Sequence, residues 1–271
     1  MSPALIDLVH SRLAAGTVRV PMLPQVAWKL LTLDEDADLR SFETLVYADH
    51  ALAGHVMRIA NSVALAGRVP VLSLRQALVR LGIRLLREVA VVAAVADNIL
   101  RLPGYDAELR GLWRQALRTA LWTKVVAQAR GDDPEQAFLS GLLVDVGRAV
   151  AFRMAIESGL AQGGRVDAGL ALEAAEALSS LVGTLIVEAW ELPEQLRAVV
   201  TFAPRPHAAG RYRDLVLVVG LGRWLAATEE EDRPLLEDHA AVPVLGLSLT
   251  DVRAIVRQGR RVDELLETLS L

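Results

Sequence analysis

Cysteine is absent from this 271-residue chain, which excludes disulfide staples, thiolate metal sites and a cysteine nucleophile. Aromatic residues make up only 4% of it, and lysine occurs twice, at Lys29 and Lys124. With so few rings, the core must be built from Ala, Leu and Val, which suits close helix-on-helix packing. The sequence has no Gly-x-Ser-x-Gly elbow, no glycine-rich phosphate loop and no His-Glu-x-x-His. The local signatures of serine hydrolases, P-loop enzymes and zincins are therefore missing. The most hydrophobic stretch, Val89 to Leu100, is interrupted by Asp97 and Asn98; it is too short for a bilayer and reads as a buried helix. The opening residues Met1 to Asp7 lack the basic region and apolar run of a signal peptide. A cytoplasmic chain without membrane attachment is expected. A net charge of −4 argues against nucleic-acid binding, which needs a basic surface.

What the chain has in abundance is helical pattern. Its residues are 53% hydrophobic, and the apolar positions recur with helical rather than period-two spacing. Helices are expected near 4–15, 23–33, 39–48, 50–60, 74–81, 83–101, 107–130, 134–156, 171–191, 194–201, 211–227, 250–258 and 260–269, with loops at 16–22, 67–72, 102–106, 159–168, 203–210 and 241–249. Ser73-Leu74-Arg75-Gln76 reads as a capping box, in which hydroxyl and amide each satisfy an orphan backbone N–H. Its helix should stop or bend at Gly82. Asp133-Pro134-Glu135 is a strong start, with an N-cap carboxylate, Pro at N1 and an acid in the first turn. Leu192-Pro193 should end the preceding helix, because a residue before Pro is pushed out of the α region. The acidic run Glu229 to Asp232 reads as a solvated loop.

Few residues point to chemistry on their own. His50 and His55 are five apart, roughly 140° around a helix, and so cannot share a metal as an i, i+4 pair does. Carboxylate pairs such as Glu173/Glu176 are ordinary surface-helix spacing. Asn61-Ser62 follows an apolar helix and can satisfy its end, with a partner contact as the other reading. Trp113, Trp122 and Trp190 are expected to fill the core. Gly141-Leu142-Leu143-Val144-Asp145-Val146-Gly147-Arg148 places a lone carboxylate in an apolar helical segment. A carboxylate buried there needs a helix end to cap or a cation such as Arg148 or Arg114.

In order along the chain, Leu23-Pro24-Gln25-Val26-Ala27, Asp49-His50-Ala51-Leu52-Ala53, Arg58-Ile59-Ala60-Asn61-Ser62, Ser73-Leu74-Arg75-Gln76-Ala77, Leu81-Gly82-Ile83, Leu112-Trp113-Arg114, Ala137 to Leu143, Val182-Gly183 and Leu192-Pro193-Glu194 resemble the HDOD domain, a relative of the HD phosphohydrolases. Val244 to Ser248 is similar to the family's C-terminal helical region. No single motif decides this, but their order and spacing do, over nearly the whole chain. The resemblance implies an all-α fold of two lobes, at 1–105 and 106–271, the second HD-like.

Active HD enzymes hold metal through a His, a His-Asp doublet and a later Asp. Carried over, these fall at Gln115, Val144-Asp145 and near Gly222, with a further His position at or beside Ser179. Asp145 alone survives, and one carboxylate does not supply the converging donors a catalytic ion needs. The resemblance therefore implies a non-catalytic bacterial signalling module without metal or cofactor, acting on a protein partner, in association with cyclic-dinucleotide systems. The contact positions it suggests are Asn61-Ser62 and the mouth of the emptied pocket. Two other readings stand beside it: a nucleotide sensor in which Arg114, Arg118 and Arg148 receive phosphates, and residual metal-dependent hydrolysis through divergent ligands.

Overall fold

Where the sequence carries capping chemistry, helices begin as that chemistry requires. The Asp133 carboxylate accepts from the backbone N–H groups of Glu135 and Gln136, and Asp49 and Asp167 cap two further helices in the same way. At Ser73 the hydroxyl accepts from Gln76 N–H, while the Gln76 amide reaches one residue further back than the box predicts, to Leu72 N–H.

A computed structural model describes residues 2–33, 39–62, 70–99 and 102–270. Among these the secondary structure is helical throughout, without strands. The helices are α1 (Ser2–Ala14), α2 (Gln25–Leu31), α3 (Leu39–Tyr47), α4 (His50–Ala60), α5 (Leu74–Ile99), α6 (Asp106–Arg130), α7 (Pro134–Leu143), α8 (Val146–Leu160), α9 (Ala168–Ala189), α10 (Glu194–Phe202), α11 (Arg213–Ala227), α12 (Ala241–Val244), α13 (Leu249–Val256) and α14 (Gly259–Leu269). Positions 67–69 of the expected 67–72 loop, and 100–101 at the end of the expected 83–101 helix, lie outside the described residues.

Gly82 does bend its helix: α5 runs through it at φ 77° and ψ 158°, a conformation that a side chain disfavours. The expected 134–156 helix is instead two, broken at Val144-Asp145 without Gly or Pro to announce it. The acidic run is exposed as expected but opens a 3₁₀ helix, Glu230–Asp238. The 203–210 loop likewise holds 3₁₀ turns, and the 241–249 loop holds α12.

Helices α2, α3 and α4 pack on α5, while α6 packs on α7 and α11, α8 on α9, and α14 on α6. The 1–105 lobe expected from the sequence is crossed by α1, which packs chiefly on α8 and α9. The crossing is tied by Trp190, whose indole N–H donates to Pro21 O at 2.7 Å. Trp113, Trp122 and Trp190 are all buried. By length and composition α9 could cross a membrane, yet Ala171, Ala175, Leu178, Val182 and Ile186 are buried in the common core.

Backbones meet at glycines. A Cβ on Gly222 of α11 would lie 2.1 Å from Thr123 Oγ1 and 2.8 Å from Thr123 Cα on α6. One on Gly141 of α7 would lie 2.7 Å from the same hydroxyl. That hydroxyl is buried and donates to Thr119 O.

The seam between α5, α6 and α7 is charged. Arg87 pairs with Glu135 at 2.7 Å and donates to Leu33 O. Glu88 holds the Lys124 ammonium with both oxygens, at 2.6 and 2.7 Å. Burial pushes the Glu88 carboxyl up to about 7 against the pull of Lys124, and the charges of Glu135 and Asp133 add to the rise.

Two outcomes are expected. Gly222→Ala should destabilise the fold by about 1–3 kcal/mol, the usual cost of overpacking, read from the urea midpoint. Because folded Glu88 holds its proton more tightly than the unfolded chain does, its contribution is fully present below pH 4.5 and is lost as pH rises to about 7. Glu88→Gln should remove that slope, worth up to about 3 kcal/mol, in urea melts across the interval.

Candidate functional site

The positions at which an HD enzyme would gather its ligands lie on α6 (Gln115), at the α7–α8 break (Val144-Asp145), on α9 (Ser179) and on α11 (Gly222). What fills the region is packing. Val144 is buried with Val199, Val216 and Val219 in a small apolar cluster separate from the main core. Turning Val144 into that cluster accompanies the helix break that the sequence does not signal. A Cβ on Gly147 would lie 2.2 Å from Ser179 O and 2.6 Å from Gly183 N. Helices α8 and α9 therefore touch backbone to backbone, and at Ser179 it is the main chain that Gly147 meets.

Asp145 makes no side-chain cap at the start of α8. Its carboxylate instead receives the guanidinium of Arg223, Nη2 to Oδ1 at 2.8 Å. Arg223 follows Gly222 on α11, so a cation stands close to where the later ligand of an active site would be. Burial raises the Asp145 carboxyl above the ordinary range; Arg223 and then Arg148 pull it down, and Glu176 pushes it up. Arg148 Nε lies 2.9 Å from Glu176 Oε2, near enough to pair by charge although its N–H is not aimed to hydrogen bond. The sequence therefore identifies Arg148 as a neighbour of Asp145 but misses Arg223, its direct partner.

The other two candidate phosphate donors are engaged elsewhere. Arg114 binds Glu267 and reaches Ser270 Oγ at 3.3 Å, and Arg118 lies 3.7 Å from Asp263. Both hold α14 against α6 and do not join Arg148 in one anion site.

Asn61 is a structural tie. Its amide donates to Met57 O and Val71 O, and its oxygen accepts from Val71 N–H at 2.7 Å. Both backbone polar groups of Val71 are thus satisfied by one side chain. Asn61 and Ser62 also border an open cleft of about 780 Å³ whose other side is Glu267, Thr268 and Ser270 of the C-terminal segment. The Asn61-Ser62 turn and the partners of Arg114 meet there, away from Asp145.

The donor set does not fit a catalytic metal. Val144 and Gly222 offer no side-chain donor, and the one carboxylate is neutralised by an arginine. Among the described residues no three His, Asp or Glu side chains are grouped to hold an ion.

Arg223→Met should cost about 1–2 kcal/mol, below the full penalty for orphaning a buried charge because Arg223 is 41% exposed. Most of that loss should disappear in an Asp145→Asn background, a coupling that a double-mutant cycle in urea measures.

The fold and sequence have counterparts. The family model of the HDOD domain matches residues 20–206. An uncharacterised protein of Treponema pallidum (strain Nichols) is 26% identical over 230 residues, covering 79% of this chain and 44% of that protein. The chain thus spans less than half of that relative's length. Among solved structures, an HDOD domain protein of unknown function from Geobacter sulfurreducens superposes with a TM-score of 0.75 at 22% identity, over 98% of this chain and 97% of that one. A putative phosphohydrolase from Shewanella amazonensis SB2B gives 0.69 at 22%, over 97% and 98%. A putative signal transduction protein from Marinobacter aquaeolei VT8 gives 0.71 at 20%, over 100% and 66%. At these identities the structures speak to the fold alone, while the family model covers most of the chain: this protein belongs to the HDOD domain family.

Proposed function

We propose that the chain is a non-catalytic regulatory module of bacterial signal transduction that works by contact with a protein partner in the cytoplasm. One observation carries the reading: the sole carboxylate left at the HD position is bound by Arg223, beside a valine buried among valines. A hydrolytic metal activates water by its own charge and needs several converging N or O donors; here Val144 and Gly222 offer none, and the Asp145 carboxylate is engaged by Arg223. The Marinobacter neighbour described as a putative signal transduction protein supports the same direction. The Shewanella neighbour described as a putative phosphohydrolase makes hydrolysis the reading to test against.

The open cleft between the Asn61-Ser62 turn and α14 is the surface offered for contact, because it brings that turn together with the C-terminal segment. A nucleotide-sensing role has less support, since Arg114 and Arg118 are taken up by Glu267 and Asp263.

Purified protein loaded with manganese, iron or magnesium should retain no stoichiometric ion and turn over neither a model phosphodiester nor a cyclic dinucleotide. Turnover lost on Asp145→Ala would sink the reading. Affinity capture from the native host should recover a signalling protein whose binding drops about tenfold, or about 1.4 kcal/mol, when Ser62→Arg crowds the cleft. Unchanged binding would move the contact elsewhere.

A further inference from the structure

On the face away from Asp145, α5, α6, α13 and α14 enclose a cavity of about 460 Å³, within the range of small-molecule sites. Its wall is aliphatic and includes Leu85, Leu121, Val125, Ile255 and Leu265. No acidic residue and no aromatic ring lines it, although the chain as a whole carries more acid than base. Two cations do, Lys124 and Arg261, together with the amides of Gln128 and Gln258. Arg261 is exposed, and the described residues give it no ion-pair partner. Lys124 is the reverse: it lines the cavity from α6, and its ammonium is held by buried Glu88.

We propose that this cavity is a binding site for a fatty-acid-like anion, with the hydrocarbon chain among the aliphatic side chains and the carboxylate between Lys124 and Arg261. The occupant follows from the lining. A nucleobase would seek a ring to stack on, and none lines the cavity. A neutral lipid would leave Arg261 without a counter-ion, whereas a cationic amphiphile would meet both it and Lys124. A single anionic head on an aliphatic tail satisfies wall and rim together, with charge-assisted hydrogen bonds at the head.

The site is also linked to a proton. When the ligand head engages Lys124, it competes with Glu88 for the ammonium. The groups then facing Glu88 are Glu135 and Asp133 of α7, both acidic, with Arg87 of α5 already paired to Glu135. Glu88 is left with repulsion and burial and holds a proton more tightly, so near pH 7, where part of it is still ionised, anion entry is accompanied by partial proton uptake. Leu85 comes from α5 and the rest of this wall from α6, α13 and α14, so the ligand would bridge the helices of both parts of the chain.

Calorimetry with decanoate below its micellar concentration, near pH 7, tests this on the full chain. The expected result is one saturable site whose apparent enthalpy differs between buffers of different ionisation enthalpy, because a proton is taken up. Lys124→Met should weaken binding about tenfold or more, Arg261→Ala about threefold, and Ala254→Trp, which fills the mouth, should abolish it. Arg148→Ala should leave it unchanged. If Lys124→Met fails to fold, the exposed Arg261 and Ala254 variants still decide. Absence of binding, equal binding of decyltrimethylammonium, or full binding by Ala254→Trp would overturn the proposal. None of these outcomes bears on the regulatory reading, which is tested by turnover and capture.

Discussion

Helix α6 is gripped at Thr123 from two sides, by Gly141 of α7 and Gly222 of α11, at distances where only a hydrogen fits. With α8 and α9 meeting in the same way at Gly147 and Gly183, these crossings draw the helices of the second part together until backbones touch. Close approach multiplies dispersion contacts.

Within that packing, Asp145 is paired with the guanidinium of Arg223. A carboxylate in an apolar surrounding is costly unless paired, and Arg223 supplies the pairing from one residue past Gly222. The fixed guanidinium offers charge and geometry but no exchangeable coordination position. Meanwhile the polar turn at Asn61 and the C-terminal segment that follows it in space border an open cleft.

Much of this was legible in the sequence wherever the cause is local. Asp133-Pro134, Asp49 and Pro193 mark helix ends by their own chemistry, and Gly82 marks a bend. The order of short motifs carries the likeness to the HDOD domain and with it the all-α fold. What stayed hidden is set by contacts distant in sequence. The break at Val144-Asp145 has no glycine or proline and follows from where Val144 packs. Arg223 is far along the chain from Asp145, and nothing adjacent marks it as a partner. The packing of α1 on α8 and α9 is equally remote. Arg114 and Arg118 read as candidate donors because a helix face can be counted from sequence, but which neighbour it meets cannot. The glycines at 141, 147 and 222 were visible as helix-interior glycines, without their partners.

The Glu88–Lys124 pair has a practical side as well. With that ammonium clasped by a carboxylate, the only other lysine is Lys29, which sits exposed on α2. Amine-directed reagents thus meet one exposed lysine side chain, far simpler chemistry than the surface of a typical globular protein offers. A fluorophore or crosslinker can be seated there without touching the electrostatics of the interior.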